Sequence, residues 1–284
     1  MKTGWLIYRK QDAERNRHNV TFYEDAAKRQ GASIQLYYFE NFSYGTSENG
    51  LTLFYEGKPI EKPDFVVMRA DEPLFSYQLE LMSYRVFNNS QVSLVANDKA
   101  RTLQVVAGAG VPTPVSRVAN HGSAAGIGAE LGYPLVIKPR DGHGGIDVLW
   151  IKNEASLSET LQNYNHDTFL MQQPVKDLGR DLRVYVVGRQ IVAAMLRARD
   201  DDFRSNYCLG GSATRYELSC EEEALVNKVI DLFDFGFVGI DFMFSDGQMI
   251  FNEIEDVVGA RMLYHLTDLD VVDIYVDHIL KTIG

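Results

Sequence analysis

Apolar and polar positions along this chain follow two rhythms, one of strands and one of helices. Trp5-Leu6-Ile7-Tyr8 is a compact apolar run that predicts a strand. From His18 to Gln30 the apolar positions return at helical spacing and stop at Gly31, a helix-ending residue. Ile34 to Phe39 and Asp64 to Arg69 read as a second and a third strand, the latter closing on a charge. Tyr77 to Phe87 reads as a helix and Val92 to Ala96 as another short strand. Strands alternating with helices predict a parallel α/β lobe over residues 1–96.

Asn97 then fits the N-cap of a helix from Asp98 to Ala109, stopped by Gly110-Val111-Pro112-Thr113-Pro114. Gly126-x-Gly128-x-x-x-Gly132 has the wrong spacing for a dinucleotide fingerprint and no strand before it, so it reads as a helix start. An apolar strand runs from Pro134 to Lys138. Val148–Ile151 and Phe169–Gln173 are strands around a helix. Leu182–Val187 and Ile191–Leu196 form a hairpin through Gly188-Arg189. Glu221 to Phe233 is a helix whose acidic first turn suits the helix dipole. Phe237–Phe244 and Gln248–Ile254 form a second hairpin turning on Asp246-Gly247, and Leu269 to Ile283 is a closing helix.

A length of 284 residues implies two or three domains, and 45% hydrophobic with 24% charged residues is ordinary for a soluble globular chain. No apolar run is long enough for a membrane span, and the N-terminus lacks the long apolar core and cleavage site of a signal peptide. Cys208 and Cys220 make neither a metal quartet nor a disulfide framework, which fits a reducing cytoplasm. The net charge of −11 comes with no basic run, so neither a nucleic-acid nor a membrane partner is expected.

Two segments carry candidate chemistry. The Lys138 strand leads directly into Pro139-Arg140-Asp141-Gly142-His143-Gly144-Gly145. A strand-aimed ammonium followed by a loop with little side-chain bulk suits phosphate, because backbone N–H groups can approach the oxyanions. In the last hairpin, Asp241 lies on one strand and Glu253 and Glu255 on the other, two residues apart and hence on one face. Three carboxylates on one face repel each other unless a cation sits between them, and hard oxygen donors suit Mg2+ with phosphate oxygens. The alternative is the polar outer face of an amphipathic hairpin. Arg183, Arg197, Arg199 and Arg204 fall in or beside the middle strands, suited to charge on a transferring phosphoryl group or to a carboxylate. Ion pairs with Asp200 to Asp202 are the alternative for them.

Together these motifs resemble the ATP-grasp ligases, and within them the RimK and LysX type of amino-acid ligase. The likeness runs from about Asn97 to Glu255. It rests on Asn97-Asp98-Lys99, the Pro134–Ile146 strand and loop, Gly179-Arg180-Asp181-Leu182-Arg183, Ala193-Ala194-Met195 with Arg197, Phe203-Arg204-Ser205-Asn206, Gly210-Gly211, Gly239-Ile240-Asp241 and Asn252-Glu253. It implies an α/β and α+β protein. An N-terminal parallel-sheet lobe (1–96) would precede a small phosphate-loop lobe (97–172) and a catalytic, metal-holding lobe (173–284), the last two clasping ATP. Lys99 and Lys138 would touch the phosphates, with Gly142, His143, Gly144 and Gly145 folding over them. Gln172, Gln173 and Val175 would belong to the hinge that reads adenine through backbone groups, Gln173 standing where relatives often carry Glu. Asp181 would sit near the ribose. Arg183, Arg197, Arg204 and Asn206 would line the acyl-phosphate and substrate site. Asp241 and Glu253 would hold Mg2+, or Mn2+ in its place.

The implied reaction joins a carboxylate to an amine through an acyl phosphate, with glutamate or another amino acid added to a small molecule or peptide. The alternatives are a phosphotransferase of the same fold, or a nucleotide-binding module without chemistry. A homo-oligomer is expected from the family. Relatives usually carry Glu-x-Asn for the metal, where this chain has Glu253-Ile254-Glu255, so Glu255 stands at the third ligand position with an added negative charge. Asp256-Val257-Val258-Gly259-Ala260-Arg261 replaces a Ser-Pro-Gly type of turn, and Tyr207-Cys208-Leu209 replaces a more polar stretch. Arg69 and Arg261 are candidate anchors for a substrate carboxylate, with surface ion pairs as the alternative.

Overall fold

In the computed structural model, which describes residues 1–142, 147–198 and 212–284, the chain opens on a parallel sheet. Strands β1 (Lys2–Tyr8) and β2 (Ala32–Tyr38) are joined by helices α1 (Lys10–Arg15) and α2 (Arg17–Arg29). Helix α2 ends where Gly31 takes φ +74°, a backbone conformation that glycine adopts freely. Strands β3 (Phe42–Ser47), β4 (Gly50–Tyr55) and β5 (Lys58–Pro59) form a small antiparallel sheet that the sequence pattern does not announce. Its rings pack on Trp5 and Phe75 beside the main sheet. Then come β6 (Phe65–Met68), α3 (Pro73–Leu81), β7 (Val86–Phe87) and α4 (Ser90–Ala96), giving a sheet of order β2-β1-β6-β7.

Two expectations fail in this lobe. The expected helix to Phe87 stops at Leu81, and Val92–Ala96 is helical rather than a strand. Asn89 Oδ1 accepts from the Val92 N–H at 2.9 Å, and the Glu80 carboxylate takes the Ser90 N–H at 2.5 Å, so this helix start is capped from two directions. The edge beside β6 is already filled by β7. Val92, Val95 and Ala96 are all buried, which is helical spacing.

Helix α5 (Lys99–Gly108) begins one residue later than expected, because Asp98 is the cap: its Oδ1 accepts from the N–H groups of Ala100 and Arg101. The Asn97 amide instead donates to Asp71 at 2.6 Å, and at 3.3 Å to both Ser93 and Asp256. Strands β8 (Ser116–Asn120), β9 (Leu135–Pro139), β10 (Leu149–Ile151) and β11 (Thr168–Gln172) make a second sheet of order β10-β9-β11-β8. Helices α6 (Ala124–Leu131) and α7 (Glu154–Leu161) share one core with Leu135, Ile137, Phe169 and Met171 and so cover one face of it.

The third sheet has the order β14-β13-β12-β15-β16 and is antiparallel throughout. It is built from β12 (Asp177–Val187), β13 (Gln190–Ala198), β14 (Ser212–Tyr216), β15 (Phe237–Ser245) and β16 (Gln248–Glu255). Both expected hairpins are present. Asp246 and Gly247 take φ +53° and +75°, as a two-residue hairpin turn demands. One face of this sheet, with Leu182, Val184, Val238, Ile240 and Phe251, is buried under α5 and α8 (Cys220–Ile230). On the opposite face, Tyr185, Val187 and Phe237 pack against α2 and α10 (Val271–Ile283). The row Asp181, Arg197, Arg183 and Asp241 lies further along the same sheet. Helix α9 (Arg261–Leu266) precedes α10. Among the described residues no helix is long and apolar enough to cross a membrane.

Candidate active site

Two sheet faces confront each other across the cleft. On the second sheet, Lys138 pairs with Leu170 and Val136 with Gln172. Residues directly opposite in an antiparallel pair share a face, so Lys138 and Gln172 stand on the side away from α6 and α7. Leu170, between them, joins the core formed with β15 and β16. Lys138 is only 6% exposed. Its Nζ donates to Asn252 Oδ1 at 3.3 Å. Burial pulls this ammonium down to about 8, Glu253 opposing the drop and Lys99 adding to it. Lys99, the first residue of α5, reaches the same place from another element. Its Nζ donates to the Gly142 carbonyl at 2.5 Å and lies 3.5 Å from Glu253 Oε2.

On the third sheet, register sets the opposing row. Asp181 pairs with Arg197, Arg183 with Asp241, and Asp241 in turn with Glu253. Arg183 grips Asp241 with two parallel bonds, Nε–Oδ1 at 2.8 Å and Nη2–Oδ2 at 2.6 Å. Arg197 Nη2 donates to Asp241 Oδ2 and to Asp181 Oδ2, both at 2.8 Å, while its Nε bonds Asp181 Oδ1. Asp241 is 1% exposed. Burial alone would raise its pKa, but the charges and hydrogen bonds of Arg183 and Arg197 outweigh this and hold it down to about 2. Glu255 goes the other way: burial raises it, and Asp241 and Glu253 add to the rise, despite Arg183. About 31% of the Glu255 side chain stays exposed. Its Oε2, however, is buried, touching the Arg183 guanidinium without hydrogen-bond geometry.

A bulge at Asn252 shapes this row. Asp241 faces Glu253 while its neighbour Phe242 faces Phe251, so Asn252 is the extra residue. Phe251 and Ile254 both turn into the core. Asn252, whose side chain bonds Lys138, is a site residue that sequence reasoning gave no role. Its signal was present: buried apolar residues three apart break the period of a regular strand.

The structure thus brings together Lys99, Lys138, Gly142, Arg183, Arg197, Asp181, Asp241, Glu253 and Glu255, with Gln172 further along the same cleft wall. It departs from expectation at several of them. Among the described residues no three metal-ligating side chains converge into a set. The cation between Asp241 and Glu255 is the Arg183 guanidinium. The Asp181 carboxylate, expected near a ribose, is bonded to Arg197. Gln173 is exposed and donates to the Leu131 carbonyl at 2.7 Å, tying it to the end of α6. Val175 is half-buried in the link from β11 to β12. Arg69 is no surface anchor but is buried, whereas Arg261 is exposed at the start of α9. His143, Gly144, Gly145, Arg199, Arg204 and Asn206 lie outside the described residues.

The residues present fit a nucleotide and a hard cation. Gln172 Oε1 is a buried acceptor without a partner, a place for an N–H of a base. Two lysines suit phosphate oxygens. Glu255, whose Oε2 is ion-paired with Arg183, and Glu253 offer hard oxygen donors on the face they share with Asp241. Mg2+ takes few protein ligands and completes its shell with phosphate and water.

Known proteins resemble this chain in sequence and in fold. Residues 96–279 match the model of the RimK-like ATP-grasp domain. A probable alpha-L-glutamate ligase of Maridesulfovibrio salexigens is 29% identical over 248 residues, covering 83% of this chain and 82% of its own. In fold, the chain is similar to an ATP-grasp RimK domain protein of Sphaerobacter thermophilus, with a TM-score of 0.75 at 18% identity over 98% of this chain and 99% of that one. It is also similar to the ATP-grasp ligase PsnB in complex with minimal precursor, Mg and ADP, with a TM-score of 0.73 at 16% identity over 99% of this chain and 97% of that one.

Proposed function

Because the chain belongs to the RimK-like ATP-grasp family, we propose that its cleft joins the carboxylate of one amino acid or peptide to the amine of another, using ATP. The observation that carries this reading is the convergence of Lys99 and Lys138 from separate elements on Asn252 and Glu253. Phosphoryl transfer depends mainly on positioning and charge neutralisation, and these groups supply both without a covalent nucleophile.

Lys99, Lys138 and Gly142 would hold the phosphates, with Gln172 at the base end of the cleft. Asp241, Glu253 and Glu255 would hold Mg2+, which when bound neutralises charge on the phosphate oxygens. A substrate carboxylate oxygen attacks the γ-phosphorus, the bond to the β-γ bridging oxygen breaks, and ADP leaves. An amine nitrogen then attacks the acyl carbon, the acyl–oxygen bond breaks, and inorganic phosphate departs as the nitrogen gives up a proton. Arg183 and Arg197 would steady the charge on the acyl phosphate, together with Arg204 and Asn206. The precursor, Mg and ADP held by PsnB support the ligand set, and the glutamate-ligase relative supports glutamate as one substrate.

The test is ADP release by the purified chain with ATP and Mg2+ against amino acids and dipeptides, singly and in pairs, with mass spectrometry of each positive well. Release that requires an acid and an amine together, with a product lighter by one water than their sum, is expected. A stable phosphorylated acid formed without an amine would replace the ligase by a phosphotransferase.

A further inference from the structure

Arg69 directly follows β6 and is 6% exposed. Tyr8, Tyr23 and Tyr275 lie near its guanidinium, and a hydrogen bond to Tyr8 favours the charged form against the cost of burial. Its Nη2 donates to the Val258 carbonyl at 2.7 Å, a bond that spans 189 positions and joins the first lobe to the turn after β16. Its Nε is buried without a partner. A buried cation is costly, and here one donation goes to a backbone carbonyl three residues beyond Glu255.

That turn backs the site. Val258 is fully buried. A Cβ placed on Gly239 would lie 2.8 Å from Val258 Cγ2 and 3.4 Å from Arg183 Cδ, so Val258 and the Arg183 stem both approach this bare position. Gly239 is also the register partner of Glu255. The turn has further ties, among them Tyr185 Oη donating to the Gly259 carbonyl at 3.2 Å, Asn88 Nδ2 to Asp256 Oδ1 at 2.6 Å and Asn97 Nδ2 to Asp256 Oδ2 at 3.3 Å. The path from Arg69 to the carboxylate row runs through the Val258 carbonyl, the Gly239 position that both Val258 and the Arg183 stem approach, and then Arg183 with Asp241 and Glu255.

We propose that Arg69 is a positioning residue for the cation-dependent part of nucleotide binding: by fixing the 256–260 turn from the first lobe, it holds Arg183 and Glu255 in register with Asp241. The inference rests on the nucleotide reading of the cleft. The residues at stake are those that would hold Mg2+, and outer partners that orient metal-site groups affect affinity strongly.

The test is calorimetric titration of the full chain with ADP, in EDTA and in saturating Mg2+, for the wild type, Arg69→Met and Val258→Ala. The readout is the ratio of the two affinities. Arg69→Met is expected to cut this Mg2+ enhancement about tenfold, the low end of what outer partners contribute, while ADP affinity in EDTA stays within about twofold. Val258→Ala keeps the Arg69 bond and loses side-chain packing at the Gly239 position and in the surrounding core. It is expected to act in the same direction, and it decides the matter alone if Arg69→Met does not fold. An unchanged ratio in Val258→Ala and in any folded Arg69→Met overturns the inference, even if the melting temperature falls. ADP binding absent from the wild type would overturn the nucleotide reading and this inference together.

Discussion

Replacing Asp241 by Asn tests the centre of the buried charge network. The carboxylate receives two bonds from Arg183 and one from Arg197, and is 1% exposed. The amide keeps the shape and removes the charge, leaving Arg183 with Glu255 and Arg197 with Asp181. Removing one partner of a buried ion pair costs about 3–5 kcal/mol. The pKa gives a separate figure. A carboxyl at about 2 in the folded protein, against 3.8, contributes about 2 kcal/mol at neutral pH. Asp241→Asn is therefore expected to lower unfolding stability by about 3 kcal/mol at pH 7, read by urea denaturation. The sign of the pH dependence follows from the lowered pKa. The unfolded chain takes the proton first, so the contribution is complete above about pH 4 and fades toward pH 2. The gap between wild type and variant should narrow over that window. Stability at pH 7 within about 0.5 kcal/mol of wild type, the range of ordinary surface changes, would refute the network as described.

Lys138→Met removes a buried ammonium whose pKa falls to about 8 from 10.5, so between these values the unfolded chain binds more protons and wild-type stability rises with pH. The variant should be more stable than wild type at pH 7, by at most about 3 kcal/mol, with the gap closing toward pH 10, while losing ADP affinity in calorimetry. A variant that binds ADP as well as wild type would remove Lys138 from the phosphate site. Gln172→Leu deletes a buried acceptor that has no partner in the protein. ADP affinity should drop about tenfold, the order of one hydrogen bond, with no loss in melting temperature; unchanged affinity would take Gln172 out of the base site. Gly188→Ala places a Cβ 2.4 Å from the His278 ring at φ +57°. It should destabilise by about 1–3 kcal/mol, and a melting temperature equal to wild type would contradict the packing of the β12–β13 turn on α10.

Local chemistry carries much of this protein. Helix α2 with its stop at Gly31, the hairpin turned by Asp246-Gly247 and the Lys138 strand are set by residues within a few positions of one another, where periodicity and backbone preference act. The same holds for the side of the sheet that Glu253 and Glu255 share, because alternation along a strand needs no partner; Asp241 joins them only through the bulge at Asn252. Val92–Ala96 marks the limit: its apolar run suits a strand, but the Asn89 and Glu80 caps and the edge already filled by β7 make it a helix. Which charges meet is a long-range matter. Lys138 and Asn252 stand 114 positions apart, Arg183 and Asp241 58, and Arg69 and Val258 189. Sequence pattern identifies such groups as costly to bury alone. Only the packed lobes decide that Arg183 lies between Asp241 and Glu255, that Asp181 belongs to Arg197, and that Arg69 turns inward, because a buried charge is settled by the partners tertiary packing brings to it.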